Sequence, residues 1–154
     1  MFYRQESNQY ITEGMSFTID GIQYPSNWLN LSTPDEKAAI GLEEVTTANQ
    51  PADARFYWVS ESLEGAVKTY VNTAKDLDAV KATEIAQVKQ SAYSILQPTD
   101  YVEVRNLRDP NYKPECIAWR DAVRSTASNV IAAIDAAADV DSIAAAVVID
   151  WPTL

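Results

Sequence analysis

The chain contains no histidine. That absence removes the usual general base at neutral pH, the serine–histidine nucleophile pair and the commonest zinc ligand together. Cysteine is nearly as scarce: Cys116 stands alone, so no disulfide can close within the chain. With no imidazole to activate it, and a place on an apolar helical stripe, Cys116 reads as a small core residue rather than a nucleophile. The four glycines, at 14, 21, 41 and 65, are too scattered for a phosphate-cradling loop. Long apolar runs are missing as well. The longest, Ile143 to Ile149, is alanine-rich and falls far short of the roughly 18 consecutive apolar residues of a spanning helix, so no membrane partner is expected. The opening residues, MFYRQESNQY, lack the apolar centre of a signal peptide, and the expected location is the cytoplasm of the producing cell unless the protein leaves within a larger particle. Basic residues number 12 against 22 acidic ones, and a net charge of −10 argues against nucleic acid as a partner.

The remainder is ordinary globular material: 154 residues, 47% hydrophobic and 22% charged, enough to bury a core without staples. Ser16 to Ile19 and Ile22 to Tyr24 flank Asp20-Gly21, a pair suited to a tight hairpin turn. Thr33, Pro34 and Glu36 then occupy the N-cap, N1 and N3 positions of a short helix, and Gly41 stops it. Leu42 to Thr47 and Arg55 to Ser60 read as strands joined by a turn carrying Asn49, Pro51 and Asp53. From Asp76 the period changes. Ile85, Val88, Ala92 and Ile95 recur at helical spacing with Lys81, Glu84, Lys89 and Gln90 between them, predicting a helix capped by Asp76 or Asp78 and ended by Pro98. A second helix is expected from about Pro114 to Ala138, with Cys116, Val123, Ala127, Val130 and Ile134 as its apolar stripe. A third, from Ser142 to about Val148, has Asp141 as its expected cap.

The fold class that follows is α+β: a small N-terminal antiparallel β-sheet with one short helix, followed by a C-terminal antiparallel helical hairpin. The module boundary falls near residue 65, giving a β-rich module over 1–65 and a helical module over 66–154. Val67, Tyr70 and Val71 could equally continue the sheet. Ile85, Val88, Val123, Val130 and Ile134 are expected among the most buried residues.

Carboxylates are plentiful, and glycoside hydrolysis would need two of them about 5 to 9.5 Å apart across a cleft. Glu43 and Glu44 are strand neighbours and point to opposite faces. Asp76 with Asp78, and Asp139 with Asp141, stand where helix caps are wanted. Asp139-Val140-Asp141 also lacks the glycine and terminal glutamate of a calcium-binding hand. No catalytic residue, metal site or cofactor is therefore expected. Four tryptophans and eight tyrosines are the other conspicuous residues. Trp58 and Trp119 read as packing residues, whereas Trp28 and Trp151, in irregular segments beside prolines, suit packing or docking equally.

Three stretches, within 21–41, 53–59 and 96–152, together resemble tail-fibre assembly proteins, or tail assembly chaperones, of tailed bacteriophages. The first runs Gly21-Ile-Gln-Tyr-Pro-Ser-Asn-Trp28-Leu and Ser32-Thr-Pro-Asp-Glu-Lys-Ala-Ala-Ile-Gly41. The second is Asp53-Ala-Arg-Phe-Tyr-Trp58-Val. The third comprises Leu96-Gln-Pro-Thr-Asp100-Tyr-Val-Glu-Val-Arg105, Pro114, Trp119-Arg120-Asp-Ala-Val-Arg124 and a closing Trp151-Pro152. The chain departs from the family pattern at Tyr101, where tryptophan is usual, and at Trp119, where tyrosine is usual; both stay aromatic. The resemblance implies a non-enzymatic protein that binds the distal, C-terminal region of a phage tail fibre and assists its folding or assembly. The implied partner is the fibre itself, a trimer in this family, with other tail or baseplate proteins as further candidates, and the implied setting is the host cytoplasm during assembly or the virion tail. An alternative is a permanent structural component at a fibre tip or baseplate, and a remote one is a carboxylate-based glycan hydrolase. Tyr101, Arg105, Tyr112, Trp119, Arg120, Arg124 and Trp151 are the candidate partner-binding residues, because arginine and large aromatics dominate interface hot spots. A bland reading competes with this one: Arg105, Arg108, Lys113, Arg120 and Arg124 are interleaved with acids and could form a mixed, solvated surface.

Overall fold

In the computed structural model, which describes residues 1–103 and 112–154, Asp20 and Gly21 both take positive φ, 50° and 81°. That pair makes the expected tight turn between β3 (Phe17–Ile19) and β4 (Ile22–Tyr24). The chain is mixed α+β, roughly 47% helical and 23% strand. It divides into two compact units, one of residues 1–52 and 59–72, the other of residues 53–58 and 73–154.

In the first unit, β1 (Phe2–Arg4) lies between β2 (Gln9–Ile11) and β5 (Leu42–Glu44), antiparallel to both. β1 and β2 were not expected, since three residues are too few for a period-2 alternation to stand out. Two short helices follow β4: α1 (Trp28–Leu31), which sequence reasoning missed, and α2 (Pro34–Ala39). α2 has the anticipated capping box. Glu36 N donates to Thr33 Oγ1 at 3.3 Å and Thr33 N donates back to Glu36 Oε2 at 2.7 Å. The Thr33 backbone N–H, and then its hydroxyl, which also donates to Glu36 Oε2 at 3.0 Å, hold the Glu36 carboxyl below its ordinary range. Phe2, Ile11, Phe17, Ile19, Leu29 and Leu42 form this unit's core. Trp28 packs here too, its ring edge-on to Tyr24 at 4.9 Å, while Phe17 and Tyr24 stack at 5.0 Å.

The expected strand over 42–47 breaks at Val45, and β6 (Thr46–Thr47) then runs parallel to β8 (Val67–Ala74). β7 (Tyr57–Glu64) pairs on the other side of β8, so the order is β6-β8-β7. Val67, Tyr70 and Val71 thus belong to a strand. Trp58 departs from its reading as a packing residue: it is 67% exposed, with Lys75 Nζ 4.5 Å from the ring centroid. It sits on a strand face that no apolar layer covers, where a cation can shield one side of the indole.

The second unit is built on α3 (Leu77–Leu96), a 3₁₀-helix (Gln97–Glu103), α4 (Tyr112–Ala136) and α5 (Val140–Ala146). α3 and α4 are antiparallel partners. Lys81, near the start of α3, donates to the Asp135 carbonyl near the end of α4, at 2.9 Å, and the end of α3 meets early α4 through Arg120. Asp76 caps α3 by accepting from Ala79 N. α5 starts two residues before its expected position, because Asp139 rather than Asp141 is its cap, accepting from Ser142 N at 2.8 Å. Asp141 instead accepts from the Tyr57 hydroxyl at 2.7 Å, which pushes that phenol's pKa upward.

Val88, Val123 and Ile134 are buried as expected, whereas Ile85 and Val130 are only half-buried. The inward row of α3 is Val80, Glu84, Val88 and Ala92: Val88 and Ala92 of the expected stripe are buried, while Ile85 and Ile95 pack at its edge. Glu84 was placed among the solvent-facing residues and is in fact 5% exposed. Phe56, Val140 and Ile143 complete the core, and Cys116 is buried as a core thiol.

Candidate functional site

The end of α3 leaves backbone carbonyls without helical partners, and about two turns into α4 the chain supplies a guanidinium for them. Arg120, 5% exposed, donates to the Leu96 carbonyl at 2.8 Å, to Thr99 Oγ1 at 2.7 Å and to Asp100 Oδ1 at 2.8 Å. Thr99 Oγ1 in turn donates to the same Leu96 carbonyl at 2.9 Å. A planar fork suits this task because it reaches several acceptors at once in fixed geometry. Val102 and Cys116, both fully buried, lie on the adjoining stretches of chain. Trp119, the residue before Arg120, is half-buried and donates its indole N–H to the Pro152 carbonyl at 2.9 Å. Trp151 is half-buried and packs against the core of this unit.

The candidate partner-binding residues therefore separate by environment. Arg120 faces inward, Trp119 and Trp151 are half-covered, and Tyr101 and Arg124 are exposed. Arg124 donates to Asp121 Oδ1 at 2.9 Å, an i,i+3 pair on the α4 surface. The 98–113 connection is described only as far as the 3₁₀-helix; Arg105, Arg108 and the side chain of Tyr112 lie outside the described residues. Trp119, Arg120, Trp151 and the Leu96–Asp100 segment do come together, although more than 50 residues separate the first from the last.

Glu84 is the residue that sequence reasoning missed. It lines a hollow of about 170 Å³ together with Arg55, Gln87, Ser91 and Trp151, and a neighbouring one of about 280 Å³ with Trp58 and Lys75. Its signal was the i,i+4 series Val80, Glu84, Val88, Ala92, in which one acid interrupts an apolar row. Arg55, at the edge of both hollows, is held by Asp53, whose Oδ2 accepts from Nε at 3.0 Å and Nη2 at 2.9 Å. The hydrogen bonds of that pair hold the Asp53 carboxyl below its ordinary value and push the Arg55 guanidinium above its own. Among the described residues, no three acidic or cysteine side chains gather closely enough to hold a metal ion, and no helix is long and apolar enough to cross a membrane.

No protein-family model matches the chain, and no curated protein or solved structure matches it.

Proposed function

We propose that this chain is a non-enzymatic assembly protein for a bacteriophage tail fibre, binding the fibre's distal, C-terminal region and assisting its folding or assembly. The observation that supports this reading best is the Arg120 cluster. The short stretches that resemble the tail assembly family, Leu96 with Thr99-Asp100, Trp119-Arg120 and Trp151-Pro152, are dispersed in the sequence yet joined by hydrogen bonds and by contact with one core. The cluster anchors an exposed α4 surface bearing Arg124, and the exposed Tyr101 just beyond the anchored Asp100. A fibre tip exposes apolar surface and strand edges until its trimer closes, and such surfaces aggregate. A partner carrying a net charge of −10 would cover them and keep the complex soluble.

The test is co-expression of the full chain with the distal part of a tail fibre, followed by affinity capture on the fibre. A stable complex and more soluble trimeric fibre are expected. No complex, with the fibre folding equally well alone, would overturn the reading. Finding the chain in purified particles would move it towards the permanent-component alternative.

A further inference from the structure

Glu84 poses a physical problem that the fold does not resolve. Its side chain is 5% exposed on the inward row of α3, and it takes part in none of the hydrogen bonds or ion pairs among the described residues. Its carboxylate oxygens are not sealed from solvent, and with no partner in the chain they line the hollow, open to a ligand of opposite charge. Arg55 attracts Glu84 without forming an ion pair with it, its Nε and Nη2 being donated to Asp53. The Arg55–Asp53 pair is neutral in sum, so the hollow's net charge is the carboxylate's.

Around Glu84 the surroundings are those of a receptor for a single cation. Gln87 and Ser91 follow it at i+3 and i+7, which puts a carboxylate, an amide and a hydroxyl along one face of α3. Neither Gln87 nor Ser91 uses its side chain in a hydrogen bond among the described residues. Trp151 supplies an aromatic wall, with Val147 and Ile149 beside it. The volume of about 170 Å³ is worth the liquid share of about five or six waters, enough for one long side chain and too small for a nucleotide. The neighbouring hollow shows the same chemistry satisfied within the chain, where the Lys75 ammonium stands over the Trp58 ring.

We propose that the hollow beside Glu84 receives an arginine side chain of a partner protein. Glu84 provides the counter-charge, Gln87 and Ser91 the flanking acceptors and Trp151 the apolar wall. Guanidinium fits better than ammonium: its five donors in a planar fork match several acceptors spread along a helix, and its weaker hydration suits an aromatic wall. The strongly acidic chain would draw such a partner in. The tail-fibre reading enters only in naming the chain that carries the arginine.

The test needs no fibre, so its outcome is separate from that of the co-expression experiment. The isotopically labelled full chain is titrated with N-acetyl-arginine N-methylamide and followed by NMR, with the citrulline amide as the neutral control of the same shape. Shifts are expected at Glu84, Gln87, Ser91 and the Trp151 indole N–H, saturating with the arginine amide and absent with citrulline. Glu84→Gln should weaken binding about tenfold or more, as loss of a charged partner does. Because Glu84 makes no hydrogen bond and only the longer-range attraction to Arg55, the same variant should melt within about two degrees of the parent. Equal response to citrulline, no saturable response to arginine, or unchanged affinity in Glu84→Gln would each overturn the proposal. So would a melting temperature several degrees lower in Glu84→Gln, which would make the carboxylate a structural group.

Discussion

The indole N–H of Trp119 donates to the carbonyl of Pro152, 33 residues further along the chain, at 2.9 Å. This bond fastens the C-terminal segment to the outer half of α4. Trp119→Phe keeps most of the ring and loses the donor, so it should cost about 1 kcal/mol. Amide exchange over residues 148–154 should speed up more than exchange at the centre of α4. Unchanged exchange in the tail would mean that Trp151 packing alone holds it.

Arg120 closes the junction between α3, the 3₁₀-helix and α4, and its loss removes a donor from the Leu96 carbonyl, Thr99 Oγ1 and Asp100 Oδ1, leaving the first two only their bond to each other. Arg120→Ala should cost about 3 kcal/mol in urea unfolding. Arg120→Lys should recover little, since a single ammonium cannot span acceptors that a guanidinium reaches from two nitrogens. A lysine variant as stable as the parent would show that charge, not fork geometry, matters at this junction.

Burial differs sharply between two residues of the α4 stripe. Ile134 is fully buried, whereas Val130 is half-buried. Ile134→Asp should cost about 4 kcal/mol or prevent folding, because an unpaired charge cannot stay in that seam. Val130→Asp should cost no more than about half as much, the carboxylate being able to reach water. Equal losses would contradict the burial seen here.

Acid should loosen α5 first at its cap. The Ser142 side chain, then its backbone N–H, hold the Asp139 carboxyl below its ordinary value of 3.8. A depressed folded pKa means the cap's contribution is fully present above the ordinary value and is lost as pH falls through the lower, folded one. The Ser142 amide resonance should report that transition. Asp139→Asn keeps a capping oxygen without titrating, so it should remove the acid transition; a transition at the same pH in that variant would assign it to another group.

On the exposed side, Arg124→Ala and Tyr101→Ala together should sharply reduce recovery of the fibre complex. Stability should change by about 1 kcal/mol or less, as exposed pairs contribute little. Full recovery of the complex would move the docking surface elsewhere, with the exposed Trp58 on β7 the next to test.

Local chemistry was easiest to read where it is self-contained. The Thr33–Glu36 capping box, the Asp20-Gly21 turn and the Asp76 cap each depend on residues within four positions of one another, and each is found where its sequence put it. β1 and β2 left no such trace although they pair with each other, because three residues apiece are too few for an alternation to show; the second partner of β1, Leu42–Glu44, lies far along the chain. Of the candidate site, the residue types were legible but not their orientation. Arg120 and Arg124 lie four apart on one helix, and nothing local says that the first turns towards Leu96 while the second meets Asp121 on the surface.

Composition and periodicity alone were enough to establish an acidic α+β chain with two long helices, since hydrophobic pattern, capping residues and charge act over a few positions. The side of α3 that faces inward was decided only by packing. Helices with several adjacent apolar rows, Ile85–Ile95 beside Val80–Ala92, can present either one, and the surface they pack against selects between them. That choice buried Glu84 and left Ile85 half-exposed, and the parallel β6–β8 pairing and the exposure of Trp58 were settled in the same way. Long-range contacts carry no mark in the residues that make them, because each residue's partner is set by where the rest of the chain lies.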